Sequence, residues 1–261
     1  MTTKKTDKTE TTIKPGVRSG EALQTPKPQS QHTLEAQRST DNEIADFLSK
    51  VKTHSPQAGA GKGRLIFAMD ATMSRQPTWD MALSLQSEMF AAVRDVGGLD
   101  VQLIYFRGFG ECRASKWVSD PMALQRLMTG ITVLGGHTQI GKVLKHARNQ
   151  AEKGQVDALV FVGDAMEENV DHLCARAGEL GLLGVPTFLF QEGRNPAVER
   201  AFKQLAKLTK GAWCPFDSGS AAQLKELLTA VAVYAAGGRQ ALKRLGGGRG
   251  TQLLLEQLER P

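Results

Sequence analysis

The 261-residue sequence predicts an α/β fold: a doubly wound, mostly parallel open sheet with helices on both faces, set between two terminal arms. Three observations predict it. The runs LIFAM (65–69), ALVFVG (158–163) and VPTFLF (185–190) are short, apolar and uninterrupted, the pattern of strands buried on both faces. Stretches with helical spacing of apolar residues separate them, so strand and helix alternate over roughly 170 residues. Parallel neighbours need crossovers of about a dozen residues or more, and the intervening helices supply them with right-handed connections expected.

The elements follow in order. Residues 1–62 are rich in Thr, Lys, Gln, Ser and Pro, and their few large apolar side chains cannot offset the entropy of ordering. They read as a disordered basic arm with one short helix near 41–52, where Thr40 and Glu43 form a capping box and Ile44, Phe47, Leu48 and Val51 share a face. The α/β domain spans 63–236. Its first strand ends at Asp70, and Pro77 opens a helix through about Val96. VQLIYF (101–106) is the second strand and CRASKWV (112–118) a more exposed third. Asp120 and Pro121 then start a helix, as N-cap and first residue. GGHTQIG (135–141) is a loop into a helix ending near Gly154. The strand 158–163 ends at Asp164. A helix at about 168–181, the strand 185–190, a helix over 195–209, a short edge strand WCPF (213–216) and a helix from Ser220 to about Ala235 complete the domain. Residues 237–261 read as a Gly-rich linker and a short amphipathic helix.

Charge narrows the function. The net +6 is split between the ends: residues 1–62 carry ten Lys and Arg against seven Asp and Glu, residues 237–261 five against two, and residues 63–236 eighteen of each. A folded nucleic-acid binder shows its basic face on the core, and this core is neutral, so nucleic acid is not the expected partner. No window holds the roughly 18 apolar residues that span a membrane, and no apolar segment follows the basic N-terminus as a secretory signal requires. Three widely spaced cysteines, Cys112, Cys174 and Cys214, make neither a disulfide framework nor a zinc site. A cytoplasmic protein is expected.

In doubly wound sheets ligands bind at the carboxyl ends of the strands, near the switch in strand order. The polar residues placed there are Asp70, Thr72 and Ser74 in DATMS, Asp164 in VGDAMEEN, and Thr138 in the loop GGHTQ. Two carboxylates and three hydroxyls are hard oxygen donors, the set that suits Mg²⁺ or Mn²⁺. Residues two apart in a tight loop point the same way, so 70, 72 and 74 can share one ion. Each has a plainer role as well: Asp70, Asp164 and Ser74 can cap the helices that follow, and Thr138 can cap and ligate at once. His137 reads as a solvated loop residue, and Glu167 and Glu168 as acids favoured by a helix N-terminus. GAGKG (59–63) precedes a strand and lacks a hydroxyl after Lys62, so it is no phosphate loop.

DATMS, a Thr after Gly-Gly, and a strand-terminal Asp, in that order, resemble the metal-ion-dependent adhesion site of von Willebrand factor type A domains, of the intracellular bacterial type. The resemblance covers about 64–235. It implies that Thr72, Ser74 and Thr138 ligate a metal through their hydroxyls and that Asp70 and Asp164 act directly or through water. A carboxylate of a partner protein would complete the octahedron. Thr72 stands where the family has Ser, and Ala165 where Gly is common; neither change removes a ligand. Cytosolic relatives of this kind act in assembly or in multiprotein complexes, so the resemblance implies a scaffold or binding module with no catalysis. The competing resemblance is to a haloacid-dehalogenase-like phosphatase, with Asp70 as nucleophile and Mg²⁺ on Asp164 and Glu168. That reading needs an acid two residues after the nucleophile, where Thr72 stands, and leaves Ser74 and the GGHT loop without a role.

Overall fold

The computed structural model describes residues 62–72, 75–217, 221–246 and 248–259. The N-terminal arm up to residue 61, with the helix expected at 41–52, lies outside the described residues.

Six strands form one sheet: β1 (Gly63–Asp70), β2 (Leu99–Arg107), β3 (Glu111–Val118), β4 (Ala158–Gly163), β5 (Thr187–Glu192) and β6 (Ala212–Phe216). Their order is β3-β2-β1-β4-β5-β6, and only β2 with β3 runs antiparallel. The described helices are α1 (Gln76–Ala92), α2 (Pro121–Thr129), α3 (Ile140–Ala151), α4 (Val170–Leu182), α5 (Pro196–Leu208), α6 (Ala221–Leu245) and α7 (Arg249–Glu259). The chain winds outward from β1 in both directions, so the strand order reverses between β1 and β4, the place where sheets of this kind bind ligands at their carboxyl ends.

Alternation along the strands builds two cores. Leu65, Phe67 and Met69 of β1 face a layer made by α1, α2, α6 and α7, while Ile66 and Ala68 face α3, α4 and α5. Because both faces are covered, β1 is apolar from Leu65 to Met69, which is the uninterrupted run seen in the sequence. In the second core Phe161 stacks on Phe106 at 5.8 Å between ring centroids and meets Phe202 edge-on at 5.7 Å.

Helix starts follow side-chain chemistry. Asp120 accepts the Ala123 N–H at 2.9 Å, Asn169 the His172 N–H at 3.1 Å, and Asn195 the Ala197 N–H at 2.9 Å. The expected Asp-Pro start of α2 is therefore present. Helix α1 is shorter than expected, stopping at Ala92, and the chain then turns through Gly97 and Gly98 at positive φ.

The C-terminal region differs most from its expectation. The stretch read as a linker from 237 is helical to Leu245, broken only by a kink at Gly238 with φ of 66°. Gly237 is there for packing, since a Cβ would lie 2.4 Å from Val96 Cγ1. Helix α7 lies against the sheet edge: the Gln257 amide accepts the Trp213 N–H at 2.9 Å and donates to the Trp213 carbonyl at 2.8 Å. It thereby caps the backbone of edge strand β6, which would otherwise offer a free pairing edge. Among the described residues no helix is long and apolar enough to cross a membrane.

Candidate functional site

β1, β4 and β5 are neighbours in the sheet, and each finishes on a carboxylate at its carboxyl end: Asp70, Asp164 just past Gly163, and Glu192. Asp70 is 3% exposed. Its Oδ1 accepts the Thr72 N–H at 2.8 Å, and the turn closes as the Arg75 N–H meets the Thr72 carbonyl at 2.9 Å. Burial outweighs these hydrogen bonds and the attraction of Arg75, so the carboxyl is pushed up to about 6 from an ordinary 3.8. Asp164 is half-buried and faces Arg75 Nη1 at 4.0 Å. Neither aspartate caps a helix: Arg75 holds the N-cap position of α1 and Asn169 that of α4.

The loop carrying Thr138 is tied to the same edge. Leu134 N–H donates to the Ala71 carbonyl at 2.9 Å, and His137 N–H to the Gly108 carbonyl at 3.1 Å. Gly136 and Gly108 lie backbone on backbone; a Cβ at 136 would sit 2.1 Å from the Gly108 oxygen. Thr138 then donates to Glu167 through both its N–H, at 2.9 Å, and its hydroxyl, at 2.7 Å, and its Oγ1 accepts the Glu167 N–H at 3.2 Å. Burial raises the Glu167 carboxyl, but the two Thr138 bonds bring it below its usual value. Thr138 does not cap α3. That office falls to Glu168, whose carboxylate accepts the N–H groups of Ile140 and, at 2.9 Å, Gly141.

Asp70, Thr72, Thr138 and Asp164 thus gather at one edge, while Ser74 lies outside the described residues. Three residues of this edge were not legible as site residues. Glu167 and Glu168 read as acids at a helix N-terminus, yet they clasp the Thr138 loop across some thirty residues. Arg75 carries no sequence signal at all, yet it is 1% exposed and ion-paired with Glu192. The sequence signal for the first two was an acidic pair three residues past a strand-terminal aspartate. Glu168, an optional Mg²⁺ holder beside Asp164 in the phosphatase reading, accepts the first N–H groups of α3. Phe109 projects from the β2–β3 turn at 87% exposure and meets the His137 ring edge-on at 5.1 Å. His137 is therefore a ring partner of Phe109.

The donor chemistry fits a divalent cation. Glu192 balances the Arg75 guanidinium, which leaves the charges of Asp70 and Asp164 without a matching pair of cations. Asp70, buried without full compensation, is the group that a cation would relieve. Thr138 gives its proton to Glu167 and keeps a lone pair free. No group of three or more His, Cys, Asp or Glu at metal distances occurs among the described residues, so any ion here depends on the hydroxyls as well.

No protein-family model and no curated protein matches the sequence. Solved structures do match. Von Willebrand factor type A from Catenulispora acidiphila superposes with a TM-score of 0.53 at 15% identity, covering 68% of this chain and 43% of that one. The SpRpn10 VWA domain gives 0.51 at 12% identity, over 65% of this chain and 95% of that one. Proximal thread matrix protein 1 from the mussel byssus gives 0.53 at 19% identity, over 67% and 48%. The chain spans less than half the length of the Catenulispora and mussel chains.

Proposed function

We propose, from the premise that this chain has the von Willebrand factor type A fold, that it is a protein-binding module whose recognition edge is the carboxyl end of β1 and β4. In this reading Asp70, Thr72, Ser74, Thr138 and Asp164 hold Mg²⁺ or Mn²⁺, and the edge takes an Asp or Glu side chain of a partner protein. Bound there, the ion supplies an open coordination position and a positive charge for that carboxylate. The chain's own residues do the rest. Asp70 and Asp164 supply negative charge, Glu167 fixes the Thr138 hydroxyl, and Glu168 fixes the start of α3 behind it. Phe109 stands beside the edge as an exposed apolar contact. The reading assigns the chain no catalysis and a cytoplasmic place in a larger assembly.

One observation carries the proposal: two carboxylates on adjacent strands, one of them buried, whose charge the neighbouring Arg75 leaves unbalanced because Glu192 already takes it. The test is Mn²⁺ binding to the full chain, followed by electron paramagnetic resonance, and partner capture with Mg²⁺ or with chelator. Asp70→Ala and Thr138→Ala should weaken both. Capture indifferent to chelator and to both substitutions would refute the metal bridge.

A further inference from the structure

Arg75 is the part of this edge that a metal site does not call for. A guanidinium keeps its charge at any ordinary pH. Here it is 1% exposed; its Nη1 makes the ion pairs with Glu192 and Asp164, and Nε and Nη2 find no hydrogen-bonded partner among the described residues. The charges around it come from three adjacent strands: Glu192 in direct contact, Asp164 at 4.0 Å, and Asp70 close enough to attract it. A cation so placed competes with any second cation for the same carboxylates, because like charges a few ångströms apart in a buried site repel strongly.

Glu192 decides that competition. Its carboxylate is fixed from α1 by the Thr78 hydroxyl, which donates to Oε2 at 2.6 Å. Helix α1 begins one residue after Arg75, so the same short segment that carries the guanidinium also clamps its counter-ion. While Glu192 is charged, the Arg75–Glu192 pair is neutral, and Asp70 with Asp164 present two negative charges that match a divalent ion. Without it, the guanidinium is left to the two aspartates.

We propose that Glu192 holds Arg75 back from Asp70 and Asp164, and that this pair sets the affinity of the edge for a divalent cation. Arg75 and Glu192 are positioning residues; neither is a ligand. The inference rests on the metal reading above, and it predicts substitutions of opposite sign. Glu192→Gln weakens Mn²⁺ binding by about tenfold or more, as an uncompensated charge at this distance requires. Arg75→Gln strengthens it. The double variant, with the pair's charges both removed, returns to near the wild-type affinity.

The experiment is a titration of the full chain with Mn²⁺ alone, followed by electron paramagnetic resonance, with Asp164→Asn as the chain lacking a ligand. Thermal unfolding in chelator checks that every variant folds. Should Arg75→Gln fail to fold, Glu192→Asp takes its place: it keeps the charge but withdraws it by one methylene, and its loss should fall between wild type and Glu192→Gln. Glu192→Gln binding Mn²⁺ as tightly as wild type, while Asp164→Asn does not, would overturn the pair's role and leave the metal reading standing. If neither wild type nor Arg75→Gln binds more tightly than Asp164→Asn, the metal reading fails and this proposal falls with it.

Discussion

The buried Asp70 carboxyl makes a prediction about stability that needs no partner. Its value in the folded chain is pushed up to about 6 from 3.8, chiefly by burial. At ~1.4 kcal/mol for each tenfold change in proton affinity, ionising it costs the fold about 3 kcal/mol. The sign follows from the direction. Protonated Asp70 sits in the fold without penalty below about pH 4, and that contribution is lost as pH rises through about 6. Asp70→Asn imitates the protonated group and keeps an oxygen for the Thr72 N–H. In chelator, the variant should match wild type near pH 4 and exceed it by about 3 kcal/mol at pH 8, or about 6 to 12 °C in unfolding midpoint for a domain of this size. Urea denaturation at pH 4, 6 and 8 reads this directly. Adding Mg²⁺ at about a hundred times its Kd should return about 2.7 kcal/mol to wild type and nothing to the variant. A difference that is constant with pH, or a variant less stable at pH 8, would refute the reasoning.

Three further outcomes test other parts of the structure. Glu168→Ala removes the acceptor of the Ile140 and Gly141 N–H groups at the start of α3 and should cost about 1 to 2 kcal/mol in urea unfolding at neutral pH. Phe161→Ala opens a cavity between Phe106 and Phe202 and should cost about 3 to 5 kcal/mol by the same assay. Phe109→Ala, at an exposed turn, should change stability by no more than about 0.5 kcal/mol and leave Mn²⁺ binding intact, while weakening capture of a partner that covers this edge.

The parts of this fold that could be read from the sequence are those fixed by local pattern. Strands β1, β4 and β5 announce themselves because both faces are buried, and Asp120-Pro121 marks a helix start by chemistry confined to two residues. The strand-end rule points to Asp70, Thr72 and Asp164, and the Gly-Gly loop before α3 points to Thr138. What escaped is what depends on long-range partners. Arg75 carries no local signal; only the ends of β4 and β5, about 90 and 115 residues on, bring the carboxylates that pair with it. Glu167 and Glu168 gain their roles from a loop about 30 residues upstream. The pair Gly237-Gly238 reads as a helix breaker, yet Gly237 is dictated by Val96 on α1, a contact that no local pattern reveals.

The close approach of Gly108 and Gly136 also has a consequence for how this edge can vary. Two loops share a contact there: a Cβ at 136 has no room against the Gly108 backbone, and Gly108 itself is held at a left-handed φ of 60°. A change at 136 therefore cannot be absorbed by its own loop: it must displace the β2–β3 turn, and with it Phe109 and His137. Among natural variants of this chain a change at 136 should accordingly come with a change in the β2–β3 turn, and a library that randomises 136 alone will lose its apolar contact with a partner before it loses its fold.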